Sequence, residues 1–312
     1  MSVAEQGRIS VVIPVFNEEA NLPVLVPRLL AVLRGLARPF EAIFVDDGSR
    51  DRSLELLRAY VEDFPRELRV VELSRNFGQH PAILAGFAIT TGDVVVTLDA
   101  DLQNPPEEIP KLIALVDQGF DVVGGVRQTR RDSLFRRAAS WLVNRVTVAI
   151  TGIRMTDYGC MLRAYSREIV DLINRCEEYS TFIPALAQTF SRRPAEVRVA
   201  HAERAAGASK YSLYRLIRLN FDLMTGFSVA PLQFFTMAGM ALALVSFFFV
   251  VVLAVRRLVV GSEVQGVFTL FGIAFFLIGV LLIGLGVVGV YVGRMFEQVR
   301  QRPRYTVSAF LE

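Results

Sequence analysis

Residues 94–107 read VVVTLDADLQNPPE, an apolar run followed directly by a polar segment. Its first half is an unbroken run of strand-forming residues, which is typical of a strand buried on both faces of a sheet. Asp99 and Asp101 follow directly, and Gln103 comes shortly after them. Asn104 and the prolines behind it are typical of a turn that starts a helix, with Asn104 as the cap. The stretch therefore predicts a buried strand whose carboxyl end carries several side-chain oxygens.

Two interpretations of the aspartate pair are open at this point. A turn explains one aspartate, because Asp is common in turns. The oxygens of Asp99, Asp101 and Gln103 would also suit a hard divalent cation, Mg²⁺ or Mn²⁺, that keeps coordination positions open for phosphate. An Asp-x-Asp motif alone is weak, so the choice depends on the rest of the chain.

Outward from this stretch, short apolar runs alternate with helical patterns between residues 9 and 126. This alternation is typical of an α/β architecture, with a parallel sheet covered by helices on both faces. The predicted strands are ISVVIPV (9–15), EAIFVD (41–46), RVVELS (69–74), VVVTLD (94–99) and DVVGGV (121–126).

Polar clusters follow three of these strands: PVFNEE (14–19), DDGSRD (46–51) and DADLQ (99–103). Ligands of such sheets bind beyond the carboxyl ends of the strands, so the clusters are expected at one edge. A carboxylate such as Asp46 can hydrogen-bond a ribose hydroxyl or a base N–H. With no glycine-rich phosphate loop, the three clusters predict a nucleotide diphosphate held through a cation.

The C-terminal part of the chain is far more apolar than the rest. Hydrophobic residues make up 53% of the sequence, and the mean hydropathy is +0.41. Two uncharged runs, 231–255 and 266–293, exceed the ~20 residues that a membrane span needs. We therefore divide the chain into a catalytic domain (1–210), an interfacial region (211–232), two transmembrane helices (233–293) and a C-terminal tail (294–312).

Basic residues predict the orientation of the spans. Arg256 and Arg257 lie between the spans, but the flanks carry more basic residues, so the positive-inside rule places both ends in the cytoplasm. This clustering also favours anionic lipid over nucleic acid as a partner. The N-terminus carries no signal-peptide pattern, and Cys160 and Cys176 form neither a disulfide nor a zinc pattern. The flanking basic residues are Lys210, Arg215, Arg218, Arg294, Arg300, Arg302 and Arg304.

Two further stretches combine apolar residues at helical spacing with arginines. Residues 133–150 fit either a membrane-surface helix or an ordinary surface helix packed on its own domain. Residues 211–232 lead into the first span, and we predict that they lie in the membrane interface, with Tyr211, Arg215 and Arg218 as anchors.

The motifs and their spacing resemble the inverting, metal-dependent GT-A glycosyltransferases, in particular the family 2 members that load a sugar onto a polyprenyl phosphate. That resemblance implies a mixed, mostly parallel nucleotide-sugar-binding sheet with interfacial helices and two C-terminal transmembrane helices. It covers nearly the whole chain and rests on VVIPVFNEE (11–19), FVDDGSRD (44–51), LSRNFGQHPAILAGF (73–87), TGDVVVTLDADLQNPPEEIP (91–110), TDYGCMLRAYSREIV (156–170), YSTFIPALA (179–187) and HAERAAGASKYSLYRLI (201–217).

The same resemblance implies three binding sites at matching positions. The implied nucleotide site comprises Pro14, Asn17, Glu18, Asp46, Asp99 and Arg127, with Arg127 neutralising phosphate. Asp99, Asp101 and Gln103 would hold Mg²⁺ or Mn²⁺ against the diphosphate, which would explain the paired aspartates. The implied acceptor-phosphate site comprises His201, Arg204, Ser209 and Lys210.

The implied reaction needs positioning and positive charge more than a strong base, because an acceptor phosphate is already ionised. The catalytic candidates are Asp101, through the metal, and Asp157 of the TDYG motif. Asp157 matches the position proposed as the base in relatives, whereas the alternative is a plain helix cap.

The implied partners are a UDP-sugar, a polyprenyl phosphate, membrane lipid and further copies of the chain, as a homo-oligomer that is tetrameric by resemblance. The implied location is the bacterial inner membrane, with two spans and a cytoplasmic catalytic domain. Polyprenyl-phosphate glucose or mannose synthases share the general motifs. A processive polysaccharide synthase would bring a Gln-x-x-Arg-Trp segment, but Trp141 follows AAS. A non-enzymatic carrier of lipid-linked sugar, or a flippase subunit, is the alternative of a different class.

Overall fold

The computed structural model describes residues 7–127, 155–176, 182–201, 221, 225, 228–260, 267–300 and 302–312. The chain forms two compact units. The first comprises Met1–Arg137, Ile153–Lys210 and Arg302–Glu312, and the second comprises Ala138–Gly152 and Tyr211–Gln301. The predicted helix at 133–150 and the predicted anchors Tyr211, Arg215 and Arg218 lie outside the described residues.

An eight-stranded sheet forms the core of the first unit, in the order β7-β5-β6-β4-β1-β2-β3-β8. Strands β1 to β4 pair in parallel, as do β5 and β7. By contrast, β6 and β8 run antiparallel to their neighbours. The strands are β1 (Ile9–Val15), β2 (Phe40–Asp46), β3 (Leu68–Leu73), β4 (Val94–Thr97), β5 (Val122–Arg127), β6 (Arg163–Ser166), β7 (Pro194–Val199) and β8 (Val307–Leu311).

Helices cover both faces of this sheet. Leu25 of the first helix and Leu57 of the second join one buried cluster with Ile13 of β1. The third helix packs on the other face, where a Cβ on Gly86 would lie 2.3 Å from a methyl carbon of Val12. Glycine therefore lets this helix approach the sheet closely. The α-helices that the described residues of this unit form are α1 (Leu22–Gly35), α2 (Ser53–Asp63), α3 (Gln79–Ile89), α4 (Ile109–Asp117), α5 (Arg167–Arg175) and α6 (Ile183–Phe190).

The architecture confirms the mixed, mostly parallel sheet and all five predicted strands, while one local prediction is wrong. Asn104 does not cap a helix: its side chain is buried, and its Oδ1 lies 3.7 Å from Cys160 Sγ. A short 3₁₀ turn at Pro106–Glu108 precedes α4 instead.

The second unit contains two long apolar helices, α7 (Ala230–Val260) and α8 (Val267–Val299). The segments Ala230–Val252 and Ile273–Val299 are long and apolar enough to cross a membrane. Gly284 of α8 faces the ring of Phe235 so closely that a Cβ would overlap it. Small residues commonly allow membrane helices to pack in this way.

Candidate active site

The candidate residues lie where β1, β2 and β4 end, at one edge of the sheet. Val15 of β1 pairs with Asp46 of β2, so the loops after these strands begin side by side. On the other side of β1, Val12 pairs with Thr97, and Asp99 follows Thr97 closely. The parallel strands thus bring the three polar clusters to the same edge, as the sequence predicted.

Hydrogen bonds join the loops that follow β1 and β2. The Asn17 N–H donates to Ser49 Oγ (3.0 Å), and Asn17 Oδ1 accepts from the Arg50 N–H (2.8 Å). The Glu18 N–H donates to Ser53 Oγ (2.8 Å). Asn17 has φ of 58°, in the left-handed region that asparagine tolerates better than most residues. Asn17 therefore stabilises the loops, and its contact with uridine stays a prediction.

Asp46 ends β2 with a buried carboxylate. Oδ2 accepts from the Ser49 N–H (3.2 Å), whereas Oδ1 is buried and has no hydrogen-bond partner among the described residues. Burial raises the pKa of Asp46, and the charges of Glu72 and Asp47 add to this effect. A buried acceptor without a partner is costly, which favours a ligand with an N–H or O–H donor here. Pro14, partly exposed in β1, neighbours this strand end.

Asp47 holds the loop that follows β3, a role that the sequence did not reveal. Its carboxylate accepts from the Phe77 N–H (2.7 Å) and the Gly78 N–H (2.8 Å), and the residue is only 3% exposed. Gly48 makes this approach possible, because a Cβ there would lie 2.6 Å from the backbone carbonyl carbon of Arg75. The start of α3 is therefore fixed by the end of β2.

Asp99 lies among other carboxylates. Burial, followed by the charge of Asp101, raises the pKa of Asp99 to about 7; Glu18 raises it as well, and Arg127 lowers it. Asp99 Oδ1 accepts from Gln79 Nε2 at 2.6 Å. The like charges of these carboxylates repel one another, and a bound cation would relieve the repulsion.

The backbone between Asp101 and Gln103 is strained. Asp101 Oδ1 accepts from the Gln103 N–H (3.1 Å), and the intervening Leu102 has φ of 62°. A leucine in the left-handed region costs on the order of 1–2 kcal/mol, and such strain clusters at functional sites. This conformation was not predicted from the sequence.

The predicted metal ligands fit a hard cation by their chemistry. Among the described residues no three His, Cys, Asp or Glu side chains converge on one point. The predicted set of Asp99, Asp101 and Gln103 contains two carboxylates and one amide, and all three side chains offer oxygen ligands. Such a set suits Mg²⁺ or Mn²⁺ with open positions for phosphate, and it does not suit structural zinc.

A partly exposed Arg127 forms an ion pair with the buried Asp157. Arg127 Nε donates to Asp157 Oδ2 and Nη2 donates to Oδ1, both at 2.7 Å, and Asp157 is only 3% exposed. The Gly159 N–H also donates to Oδ1 (3.0 Å). The helix-cap alternative for Asp157 is wrong, because the chain turns after this residue and continues into β6.

A buried arginine that sequence reasoning missed supports the Asp157 loop. Arg163 of β6 is 1% exposed; its Nη2 donates to the backbone oxygen of Asp157 (2.7 Å) and its Nε to that of Cys160 (3.0 Å). Within this loop, a Cβ on Gly159 would lie 2.8 Å from Arg127 Nη2. The TDYG motif therefore shapes the space that the Arg127 side chain occupies.

His201 is the member of the predicted acceptor site that the structure describes. Burial lowers the pKa of His201; the charge of Arg127 lowers it further, whereas Asp101 and Asp157 raise it. The imidazole thus interacts electrostatically with Asp101 and with both members of the ion pair. Its Nδ1 is buried and has no hydrogen-bond partner among the described residues. Arg204, Ser209 and Lys210 lie outside the described residues.

Comparison with known proteins assigns the chain to a family. The profile of Glycosyl transferase family 2 matches residues 10–173, which include all three polar clusters and the Asp157 loop. The chain belongs to glycosyltransferase family 2. It is similar to proteins named undecaprenyl-phosphate 4-deoxy-4-formamido-L-arabinose transferase. Identity is 52% with that of Pectobacterium atrosepticum (96% of this chain, 92% of the relative), and 54% with that of Pseudomonas paraeruginosa (96% and 89%). It is 51% with that of Yersinia enterocolitica (99% and 95%).

Solved structures support the fold of this family 2 glycosyltransferase. Glucosyl-3-phosphoglycerate synthase from Mycobacterium tuberculosis, crystallised with Mn²⁺, UDP and phosphoglyceric acid, matches with a TM-score of 0.52. The match covers 72% of this chain and 78% of that chain at 22% sequence identity. At this identity the likeness extends to the fold alone, and it confirms the GT-A sheet predicted from the sequence.

Proposed function

We propose that this glycosyltransferase transfers 4-deoxy-4-formamido-L-arabinose from its UDP-linked form to undecaprenyl phosphate, at the cytoplasmic face of the bacterial inner membrane. The observation that carries the proposal is an identity of 51–54% over nearly the whole chain with relatives named for this activity. The product would serve later modification of lipid A or of the envelope.

The nucleotide would bind across the ends of β1 and β2. The unpaired Oδ1 of Asp46 is suited to accept from the uracil N–H, because it is buried and free of any described partner. Pro14, Asn17 and Glu18 would line the same pocket on the β1 side.

The diphosphate would lie between the aspartate pair and Arg127. Asp99, Asp101 and Gln103 would hold Mg²⁺ or Mn²⁺, which supplies Lewis-acid stabilisation of the leaving diphosphate when bound. Arg127 adds a fixed positive charge whose orientation is set by its two bonds to Asp157. Together these charges favour departure of UDP.

The acceptor phosphate would bind on the other side of the sugar. His201, Arg204, Ser209 and Lys210 would orient one ionised phosphate oxygen toward the anomeric carbon, and attack in line with the departing diphosphate inverts the configuration. The acceptor needs no strong base. Asp157 was predicted as that base, but both its oxygens accept from Arg127, and we propose that it orients Arg127 instead.

The apolar helices α7 and α8 would anchor the enzyme in the membrane that holds its lipid acceptor. Residues 211–232 would lie in the interface and set the height of the catalytic unit above the headgroups. We also propose that the enzyme assembles as a homo-oligomer, with a tetramer expected from the resemblance.

A competition experiment tests the donor sugar. The purified full chain is given undecaprenyl phosphate, Mn²⁺ and an equimolar mixture of UDP-sugars, among them the formamido-arabinose, glucose and N-acetylglucosamine forms. The glycolipid products are then identified and quantified by mass spectrometry. We expect the formamido-arabinosyl lipid to dominate. Dominance of the glucosyl lipid would favour the polyprenyl-phosphate glucose synthase alternative. If UDP does not bind in the presence of Mn²⁺, a non-enzymatic carrier becomes the better account.

A further inference from the structure

We propose that Gln79 is a positioning residue of the donor site: its side-chain amide holds the Asp99 carboxylate in the orientation that receives the divalent cation. The inference rests on the proposed function, because it assumes that Asp99 binds this cation. Gln79 opens α3 and is not among the residues that the sequence predicted for the site.

The hydrogen bond that supports this role is short, and it is the only one that Asp99 receives from the described side chains. Gln79 Nε2 lies 2.6 Å from Asp99 Oδ1, and among the described residues no other side chain donates to Asp99. Asp99 is repelled by Asp101 and by Glu18. Rotation about the last torsion of an aspartate is soft, so without a donor the repulsion would turn this carboxylate away from its neighbours.

The backbone that leads into Gln79 is held by the end of β2. Asp47, at the end of β2, accepts from the backbone N–H groups of Phe77 and Gly78. Gly78 has φ of +100° and lets the chain turn into α3 directly before Gln79. Hydrogen bonds and the chain itself therefore connect Asp47 through the loop to Gln79 and on to Asp99.

An uncharged donor suits this position better than a cationic one. An amide N–H fixes the direction of a carboxylate while leaving its negative charge available to a cation. A lysine at the same place would satisfy Asp99 but would also repel a divalent ion. Partners that orient a metal ligand in this way typically change metal affinity or activity by about 10–100-fold when they are lost.

The test measures Mn²⁺ binding directly. The full-length protein in detergent micelles with saturating UDP is titrated with Mn²⁺, and free Mn²⁺ is followed by electron paramagnetic resonance. Gln79→Met, which keeps the length but lacks the donor, should weaken Mn²⁺ binding by about 10–100-fold. Gln79→Lys should weaken it through charge, and Gln79→Asn, too short to reach Asp99, should resemble Gln79→Met. Gln118→Met, at an exposed glutamine that directly follows α4, is the matched control.

Two further readouts separate positioning from a general loss of structure. Turnover of Gln79→Met should recover when Mn²⁺ is raised well above the wild-type requirement, which a misfolded site would not do. Asp47→Asn should weaken Mn²⁺ binding as well, and its effect should not add to that of Gln79→Met, because both act through the same contact to Asp99.

The outcomes distinguish this inference from the proposed function. If wild-type protein binds Mn²⁺ and UDP but the three Gln79 variants bind Mn²⁺ as tightly as wild type, the positioning role is refuted and the proposed function stands. If wild-type protein binds no Mn²⁺ with UDP present, the proposed function and this inference fail together.

Discussion

At the scale of single residues, the candidate site separates side chains that would touch a ligand from those that hold them. Asp46 and Asp99 present carboxylate oxygens at the sheet edge. Both were predictable, because ligands of such sheets bind beyond the carboxyl ends of the strands. Asp47 and Gln79 were not predictable, because their partners lie 30 and 20 residues away in sequence. Contacts of this kind depend on how a loop crosses the ends of neighbouring strands, which no local pattern encodes.

Asp101→Asn should lower turnover by about a hundredfold or more, because the lost negative charge weakens cation binding that acts mainly on the departing diphosphate. Initial rates of lipid glycosylation at fixed Mn²⁺ measure the effect. Asp63→Asn, at an exposed position at the end of α2, serves as the control. Full activity of Asp101→Asn, or of the wild type in excess EDTA, would refute the metal assignment.

Gly159→Ala should reduce turnover by on the order of a hundredfold through Arg127, because the new methyl group would lie 2.8 Å from Arg127 Nη2 and displace it from Asp157. Gly35→Ala provides the matched control, since a Cβ there meets no atom within 4 Å. The measurement is kcat together with the melting temperature. A Gly159→Ala enzyme that retains wild-type kcat would mean that the ion pair does not contribute to the reaction.

At the scale of elements, the sequence predicted the strands that are buried on both faces and missed the others. Strands β1 to β5 contain continuous apolar runs, which a buried strand requires. In β7 the side chains alternate between exposed and partly buried, and the strand begins at Pro194, which reads as a loop. In β6 a buried arginine interrupts the pattern, and β8 has only five residues. The pairing of β8 with β3 could not be predicted, because β8 is far from β3 in sequence and follows an apolar helix.

His80 of α3 gives the catalytic unit a pH-dependent stability. Burial lowers the pKa of His80 from 6.5 to about 4, and its ring packs edge-on against Phe182. Between these pH values the unfolded chain binds a proton that the folded chain does not, so stability falls as the pH drops from 6.5 toward 4. At pH 5 the loss should be on the order of 2 kcal/mol.

Thermal melts of the wild type and of His80→Phe between pH 7.5 and 5 test this expectation. The substitution keeps a ring against Phe182 and removes the titrating group, so its melting temperature should fall less with acidification. The chain contains two histidines, and the difference between the two proteins isolates His80 from His201. Parallel pH profiles of the two proteins would contradict the account.

At the scale of the whole molecule, the catalytic sheet takes its last strand from the C-terminus. Residues 302–312, expected from the sequence to be a tail, contain β8, which pairs with β3. Arg69 of β3 also pairs with the final residue, Glu312. Removing everything after residue 232 would therefore delete a sheet strand together with the apolar helices. A fair test of membrane anchoring keeps β8 and shortens only the helices.

The proposed topology predicts which side of the membrane the segment between α7 and α8 faces. A cysteine introduced at Ser262, with Cys160 and Cys176 replaced, should react with an impermeant thiol reagent added to cells whose outer membrane has been made permeable. Both flanks of the helices would then lie on the cytoplasmic side, where UDP-sugars are available. Reaction only after the inner membrane is opened would show the opposite topology.

The most direct test of sugar transfer is a balance between the two products. The purified full chain in nanodiscs containing undecaprenyl phosphate is given the UDP-linked formamido-arabinose and Mn²⁺, and released UDP and glycolipid are quantified together. Sugar transfer by this enzyme should yield one UDP per glycolipid, and neither product when EDTA is present. Release of UDP without glycolipid would indicate hydrolysis of the donor, and binding of both substrates without either product would indicate a carrier. Either result would contradict the proposed transfer.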